Sequence, residues 1–301
     1  MSPNPPRILI TGVTGQIGGA ILKVLSPSCE ILSPTRTELD LGDEASIRNY
    51  VQRVRPHWIV NPAAYTAVDQ AESEPHLAHA INAEAPRILG EEARKLNASV
   101  VHFSTDYVFD GRLPRPYVES DVMTPINVYG RTKLAGELGL AESGARHFIL
   151  RTSWVYGATG KNFLLSILRL AARRAASCEP LRIIADQHGA PTWSHDLARL
   201  TAHIIATAPN LGAVGGTYHA TAIGETTWHG FASAAIANVS KRDPLAQFVE
   251  LVPIPSAEYL TPAARPGNSR LNSSKLAETF QFTLPHWSVS LASVVALLPD
   301  A

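Results

Sequence analysis

The chain has 301 residues, enough for one large domain or two modest ones around a substantial core, and its 26 Lys and Arg balance 26 Asp and Glu. A formal net charge of zero supplies no basic field for nucleic acid or an anionic membrane surface. Cys29 and Cys178 form no CxxC pair or disulfide framework, and no apolar run is long enough for a signal peptide or a membrane span. A soluble, cytoplasmic protein with reduced thiols is expected.

Arg7 to Thr11 is a short β-branched apolar run that reads as a buried strand. Gly12-Val13-Thr14-Gly15-Gln16-Ile17-Gly18 follows and leads into a helix from Gln16 to about Leu25. Strand, GxxGxxG turn and helix in that order make a phosphate cradle. Glycines let backbone approach a pyrophosphate, and the helix N-terminus offers free N–H groups and a positive dipole end. Glu30 to Ser33 reads as the second strand, broken by Pro34-Thr35-Arg36. An acidic residue there would bind a ribose 2′-hydroxyl, whereas an arginine accepts a 2′-phosphate, so Arg36 is a candidate for NADPH. Asp40-Leu41 lies where an acid near adenosine is expected, which leaves NADH open.

Ser46 to Val54 has an amphipathic helical pattern, and His57 to Asn61 reads as a strand ending in Pro62-Ala63-Ala64-Tyr65, where small residues let a flat cofactor lie on backbone. One long helix is predicted from Glu74 to Leu96, with Pro75 in its first turn. Asn82 inside it is expected to hold a backbone carbonyl or a water near the lysine discussed below, since asparagine is a costly choice in a helix interior. His76 and His79 lie one turn apart without a completing carboxylate or cysteine cluster and read as surface histidines.

Val100 to Ser104 is a strand of strong β character, and Ser104-Thr105-Asp106 stands at its carboxyl end, where open parallel sheets bind ligands. A hydroxyl there can bond a substrate carbonyl; no GxSxG elbow marks a nucleophile. Asp110 to Thr124 reads as a loop over the site. A helix from Tyr129 to about Glu142 returns Lys133 to the face of Tyr129, and of the eight tyrosines only Tyr129 has a lysine four residues later. An adjacent cation favours phenolate, moving a group that titrates near pH ~10 toward general-acid work at neutrality. His147 to Thr152 is the next strand. Beyond it come a helix from Asn162 to Ala176, a strand from Leu181 to Ala185, a helix from Ser194 to Ala208, a connector to Gly216, a strand from Thr217 to Ala220, a helix from Trp228 to Ser240, and part of a last helix from Ala292 to Leu298. Alternating strands and helices predict an α/β fold with a doubly wound parallel sheet.

Taken with Ser104-Thr105-Asp106-Tyr107-Val108-Phe109 and Tyr129-x-x-x-Lys133, the segments Arg151 to Gly157, Asp186 to Thr192, Thr227-Trp228-His229 and Arg265 to Asn272 make nearly the whole chain resemble the dTDP-4-dehydrorhamnose reductases. These are extended short-chain dehydrogenases. From Ser153 the alternation loosens, which predicts a Rossmann domain over 1–155 and a smaller, mainly substrate-binding lobe over 156–301 interleaved with the sheet. The resemblance implies reduction of the C4 keto group of dTDP-4-dehydro-β-L-rhamnose by NADPH or NADH, with a proton from Tyr129. Lys133 would bind the nicotinamide ribose and lower the tyrosine pKa, and Thr105 would hold the carbonyl oxygen. Gly12, Thr14, Gly15, Gln16 and Ile17 would meet the pyrophosphate, Asp40 and Leu41 the adenine end, and Ala63, Ala64 and Tyr65 the length of the cofactor. Val68, Asp106 and Trp154 would line the sugar pocket, and Arg265 would take the substrate diphosphate.

Some members hold magnesium at a dimer interface through glutamates; Ala20 stands at one such position, so no metal is assigned, and a monomer or a homodimer is expected. Pro62 replaces what is more often alanine. The partner expected is a small-molecule dTDP-sugar, with no nucleic acid and no membrane. Two other readings stay open: a reductase or epimerase for another 4-keto nucleotide sugar, and an NADP-binding regulatory subunit of methionine adenosyltransferase.

Overall fold

A six-stranded, wholly parallel sheet carries the molecule, as seen in a computed structural model that describes residues 5–175 and 177–299. Residues 1–4 and 300–301, the ends of the two expected domains, and Ala176, the expected end of a helix, lie outside the described residues. The elements are β1 (Arg7–Ile10), α1 (Gln16–Leu25), β2 (Glu30–Leu32), α2 (Glu44–Val54), β3 (Trp58–Asn61), the short helices α3 (Val68–Ala71) and α4 (Pro75–His79), α5 (Ala85–Leu96), β4 (Ser99–Thr105), α6 (Val128–Glu142) and β5 (Arg146–Thr152). There follow β6 (Val155–Tyr156), α7 (Phe163–Ala175), β7 (Leu181–Ile184), β8 (His188–Gly189), β9 (Thr192–Trp193), α8 (Ser194–Thr207), β10 (Gly216–His219), β11 (Thr226–Thr227), α9 (Trp228–Arg242), β12 (Leu251–Ile254), α10 (Ser274–Phe280) and α11 (Trp287–Ala296).

Strand order across the sheet is β2-β1-β3-β4-β5-β10. Sequence order therefore reverses between β1 and β3, the switch point outside which α/β sheets bind ligands. The strands are continuous apolar runs because both faces are covered. On one face α1 and α8 bury Ile8, Ile10, Val60, Val101, Phe148 and Leu150; on the other α2, α5 and α6 bury Leu9, Ile59, Val100 and Ile149. Each such side chain contributes about 1.5–3 kcal/mol of transfer free energy. Beyond residue 156 the chain returns to the sheet through α8 and through β10, which pairs with β5, while α7, α9 and α11 pack around Tyr156, Leu164 and Phe231 in a separate core.

Local chemistry moves several boundaries. The Asp43 carboxylate caps α2 by accepting from Ala45 N at 2.9 Å, which starts that helix at Glu44 and not at Ser46. The Asn127 side chain does the same for α6, accepting from Gly130 N at 2.7 Å. The last helix starts at Trp287, capped by His286. The single long helix expected over 74–96 is instead α4, one π-helical turn over Ala80–Glu84, and α5. Pro86 has no N–H for the carbonyl of Asn82, and α6 crosses so closely there that a Cβ on Gly136 would stand 2.0 Å from that oxygen.

Candidate active site

One cleft of about 1420 Å³ runs along the carboxyl ends of the strands, with Trp154, Trp193 and Trp228 among the residues that line it. That exceeds the ~300–1,000 Å³ typical of a single small-molecule pocket and leaves room for two ligands. At one end lies the glycine turn. Gly12 has φ +59°, and a Cβ there would meet Ala63 at 2.9 Å, so β1 and β3 approach where only glycine fits. Helix α1 begins immediately after Gly15, and no side chain caps it, leaving its first N–H groups to a ligand. Gly12, Thr14, Gly15, Gln16, Ile17, Arg36, Asp40, Leu41, Ala63 and Ala64 all line this half of the cleft. These residues fit the diphosphate and adenosine portions of a dinucleotide.

Tyr65 is not among the lining residues. Its hydroxyl donates to Glu74 at 2.7 Å. Its backbone is clamped by Asn82, which accepts from Tyr65 N at 2.8 Å and donates to Tyr65 O at 3.1 Å and to Thr132 Oγ1 at 3.1 Å. Asn82 thus fixes the loop after β3 that forms the floor of the cleft.

The reacting groups stand at the end of β4. Thr105 is its last residue, and its Oγ1 accepts from Tyr107 N at 3.1 Å and donates to Asp106 Oδ1 at 3.1 Å. Tyr129 and Lys133 face them from α6, one turn apart. Burial pushes the Tyr129 phenol up to about 12, with its hydrogen bond to Thr105 pulling it down and the charge of Asp106 pushing it up. The sequence pattern pairs this phenol with the Lys133 cation; in the structure Lys133 Nζ instead donates to Phe103 O at 2.6 Å and meets His102 Nε2 at 3.1 Å. Burial lowers Lys133 to about 8, opposed by the charge of Glu137. Ser104 Oγ and Thr152 Oγ1 line the same cleft, buried and without a hydrogen-bond partner among the described residues, and are available to a ligand.

Asp106 is buried, and desolvation pushes its carboxyl up to about 6 against hydrogen bonds from Ser269 and Thr105. An acid whose folded pKa is raised binds its proton more tightly than the unfolded chain does. Stability is therefore lost as pH rises from about 4 through about 6. Asp106→Asn, which mimics the neutral acid, should melt with the parent below about pH 4 and be more stable by roughly 2–3 kcal/mol at pH 8. Thermal melts without ligand at the two pH values check this, and equal melting temperatures at pH 8 would contradict it.

On the sugar side, Val68, Asp106 and Trp154 line the cleft. Trp154 is left-handed (φ 50°) and stacks on Trp228 with centroids 3.6 Å apart and planes 12° from parallel. Trp228 Nε1 donates to Gln187 Oε1 at 3.1 Å. Trp193 is a lining residue that the linear sequence does not mark, and Trp228, which stands in the Thr227-Trp228-His229 segment, lines the cleft without a site role assigned to it from the sequence. Arg265 does not line the cleft; its guanidinium grips Asp69 of α3 at 2.8 and 3.1 Å, beside Val68. Ala20 also lines the cleft, and His79 faces Glu84 at 3.3 Å.

Comparison with known proteins fits this geometry. Over residues 6–299 the sequence matches the family described as the RmlD substrate binding domain. A dTDP-4-dehydrorhamnose reductase from Burkholderia thailandensis is 43% identical over 296 residues, spanning 96% of this chain and 98% of that one. The chain belongs to the dTDP-4-dehydrorhamnose reductase family. Crystal structures of that family superpose closely: one from Clostridium acetobutylicum has TM-score 0.88 and 34% identity, covering 97% of this chain and 99% of that one. Another, from Bacillus anthracis in complex with NADP, has TM-score 0.87 and 34% identity with the same coverage.

Proposed function

We infer that the chain is an NADPH-dependent oxidoreductase that reduces the C4 keto group of dTDP-4-dehydro-β-L-rhamnose to dTDP-β-L-rhamnose. The observation that carries the reading is the convergence of Thr105, Tyr129 and Lys133 on the cleft that also holds the glycine turn, in a member of this family. Reduction of a ketone needs a hydride at carbon and a proton at oxygen. When bound, the reduced nicotinamide supplies the hydride. Tyr129 gives its phenolic proton to the developing alkoxide; with its pKa raised to about 12 the group is fully protonated at neutral pH. Thr105 holds the carbonyl oxygen beside that phenol by turning its one hydroxyl proton from Asp106 Oδ1 to the substrate, so charge forming on oxygen meets two donors. Lys133 adds an amine at the floor of the site to bind ribose hydroxyls, and the Trp154–Trp228 stack gives the sugar an apolar wall. Arg265, paired with Asp69 and outside the cleft lining, would take a substrate diphosphate only by exchanging Asp69 for phosphate oxygens.

The test follows oxidation of NADPH and of NADH at the nicotinamide absorbance, with dTDP-4-dehydrorhamnose generated in place and the product identified as dTDP-rhamnose. No oxidation by protein that binds NADPH would overturn the reading. Arg36 lines the adenosine end and makes no ion pair among the described residues. A charge-assisted contact to a 2′-phosphate is worth about 1.5–3 kcal/mol. Arg36→Ala should accordingly raise KM for NADPH by roughly 10–100-fold and leave KM for NADH unchanged.

A further inference from the structure

Behind the lysine a buried polar chain crosses from β4 through β3 to the end of β1. Lys133 Nζ faces His102 Nε2 at 3.1 Å; His102 Nδ1 faces Asn61 Nδ2 at 3.1 Å; Asn61 Oδ1 accepts from Thr11 Oγ1 at 2.6 Å. His102 and Asn61 are register partners on β4 and β3, and Thr11 extends β1 next to them. Both His102 and Asn61 are 0% exposed, and Lys133 is 1% exposed. Thr11 directly precedes Gly12, and its Oγ1 also accepts from Ala63 N at 3.4 Å, so the chain joins the lysine to the two backbones that meet under the cofactor turn.

In the amide orientation that the structure shows, each hydrogen bond sets the direction of the next. Thr11 donates to Asn61 Oδ1, which leaves Asn61 Nδ2 to donate to His102 Nδ1. Nδ1 then accepts, and the ring proton sits on Nε2, aimed at Lys133. An ammonium has three donors and no lone pair, so it cannot receive that proton; a neutral amine can. With the Asn61 amide turned over, every bond reverses: Nδ1–H donates to Oδ1, and Nε2 accepts from an ammonium. The chain has two polarities, each matched to one protonation state of the lysine.

We propose that His102 is a positioning residue for Lys133, and that the Thr11–Asn61–His102 chain sets through the imidazole tautomer how readily the lysine holds its proton during turnover. Other groups around Nζ do not carry this coupling. Glu137, one turn further along α6, is already gripped by Arg151 of β5 at 2.6 Å, both buried. Asp106 and Tyr129 stand on the cleft side and are bridged by Thr105. His147 of β5 lies near His102 with its Nδ1 on Ala145 O at 2.9 Å. The burial that lowers Lys133 to about 8 places the switch within reach of ordinary buffers, and His102 is itself held neutral by burial and by the neighbouring lysine.

Two measurements test it, and the first needs no turnover, so it stands apart from the reductase reading. In the NADPH complex of uniformly ¹⁵N-histidine-labelled protein, His102 is assigned by its loss in His102→Gln and its tautomer is followed with pH. Nε2–H is expected above a midpoint near the lysine pKa and Nδ1–H below it. One tautomer holding throughout while Lys133 titrates would overturn the proposal. The second is Asn61→Asp, whose carboxylate can only accept, forcing Nδ1–H and favouring the ammonium. The midpoint of the kcat–pH profile should rise by about one pH unit, tenfold in proton affinity, with KM for NADPH little changed. A folded variant with an unmoved midpoint would equally overturn it, and if that variant does not fold the tautomer measurement decides alone.

Discussion

Replacing Tyr129 with Phe is expected to lower kcat by about 10²–10⁴-fold, the range general-acid catalysis supplies, while NADPH binds as before. The phenol hydroxyl is the part removed, and the ring keeps its place. It meets Tyr107 edge to face at 5.6 Å, a contact phenylalanine preserves, and Val128 to Glu142 remain helical around it. The proton matters only as charge grows on the substrate oxygen, so the loss falls on kcat and not on ground-state binding. Single-turnover absorbance together with a fluorescence titration of NADPH separates the two. Undiminished turnover would move the proton source to Asp106, whose carboxyl at about 6 is the other titratable group bridged to Thr105.

Much of this site was legible in the sequence because its determinants are local. A glycine turn must sit between a strand and a helix, and Gly12, Gly15 and Gly18 announce it in seven residues. Thr105 follows a run of β character, and Tyr129 and Lys133 need only the helical repeat to share a face. What the sequence could not convey depends on distant partners. The expected effect of Lys133 on the phenol assumed that spacing alone brings an ammonium to a hydroxyl; the carbonyl of Phe103 and the ring of His102, both on β4, compete for the amine and hold it. The family resemblance places Tyr65 along the cofactor, and its local sequence gives no sign that Glu74, nine residues on, takes its hydroxyl. Trp154 and Trp228 each stand in a segment the sequence marks, but their stacking across 74 positions has no linear signature.

The fold was read with similar strengths and for similar reasons. Strands buried on both faces stand out as apolar runs, and the six-stranded sheet contains all of those expected before residue 155. The parallel pairing of β7 with β12 and the helix α10 went unseen, because β12 is four residues broken by Pro253 and α10 is seven residues with little apolar periodicity. Asn61 and His102 offered the one overlooked clue. Each is a polar residue in or at the end of an apolar strand, and each is fully buried because it bonds across the sheet rather than to its own strand.

Gly18→Ala is expected to weaken NADPH binding severely, and the reason lies in backbone. A Cβ at residue 18 would stand 2.2 Å from Gly12 O and 2.7 Å from Gly12 C. Neither atom is the end of a flexible side chain, so α1 itself must move away from the turn. Gly12 cannot yield, since its own Cβ position is closed by Ala63 and its carbonyl accepts from Gly15 N at 2.9 Å. Overpacking of this kind costs about 1–3 kcal/mol, and where the strain falls on the binding turn it raises Kd by roughly 5–150-fold. Because α1 packs along α8, whose first residues Ser194 and His195 also line the cleft, the shift reaches the sugar side as well. The neighbouring Gly19→Ala separates this effect from a general helix change. Its Cβ would lie 3.1 Å from Val13 O, which a movement of a few tenths of an ångström relieves, so Kd for NADPH should change by less than about threefold. Equal losses in the two variants would locate the damage in the helix and not in the turn.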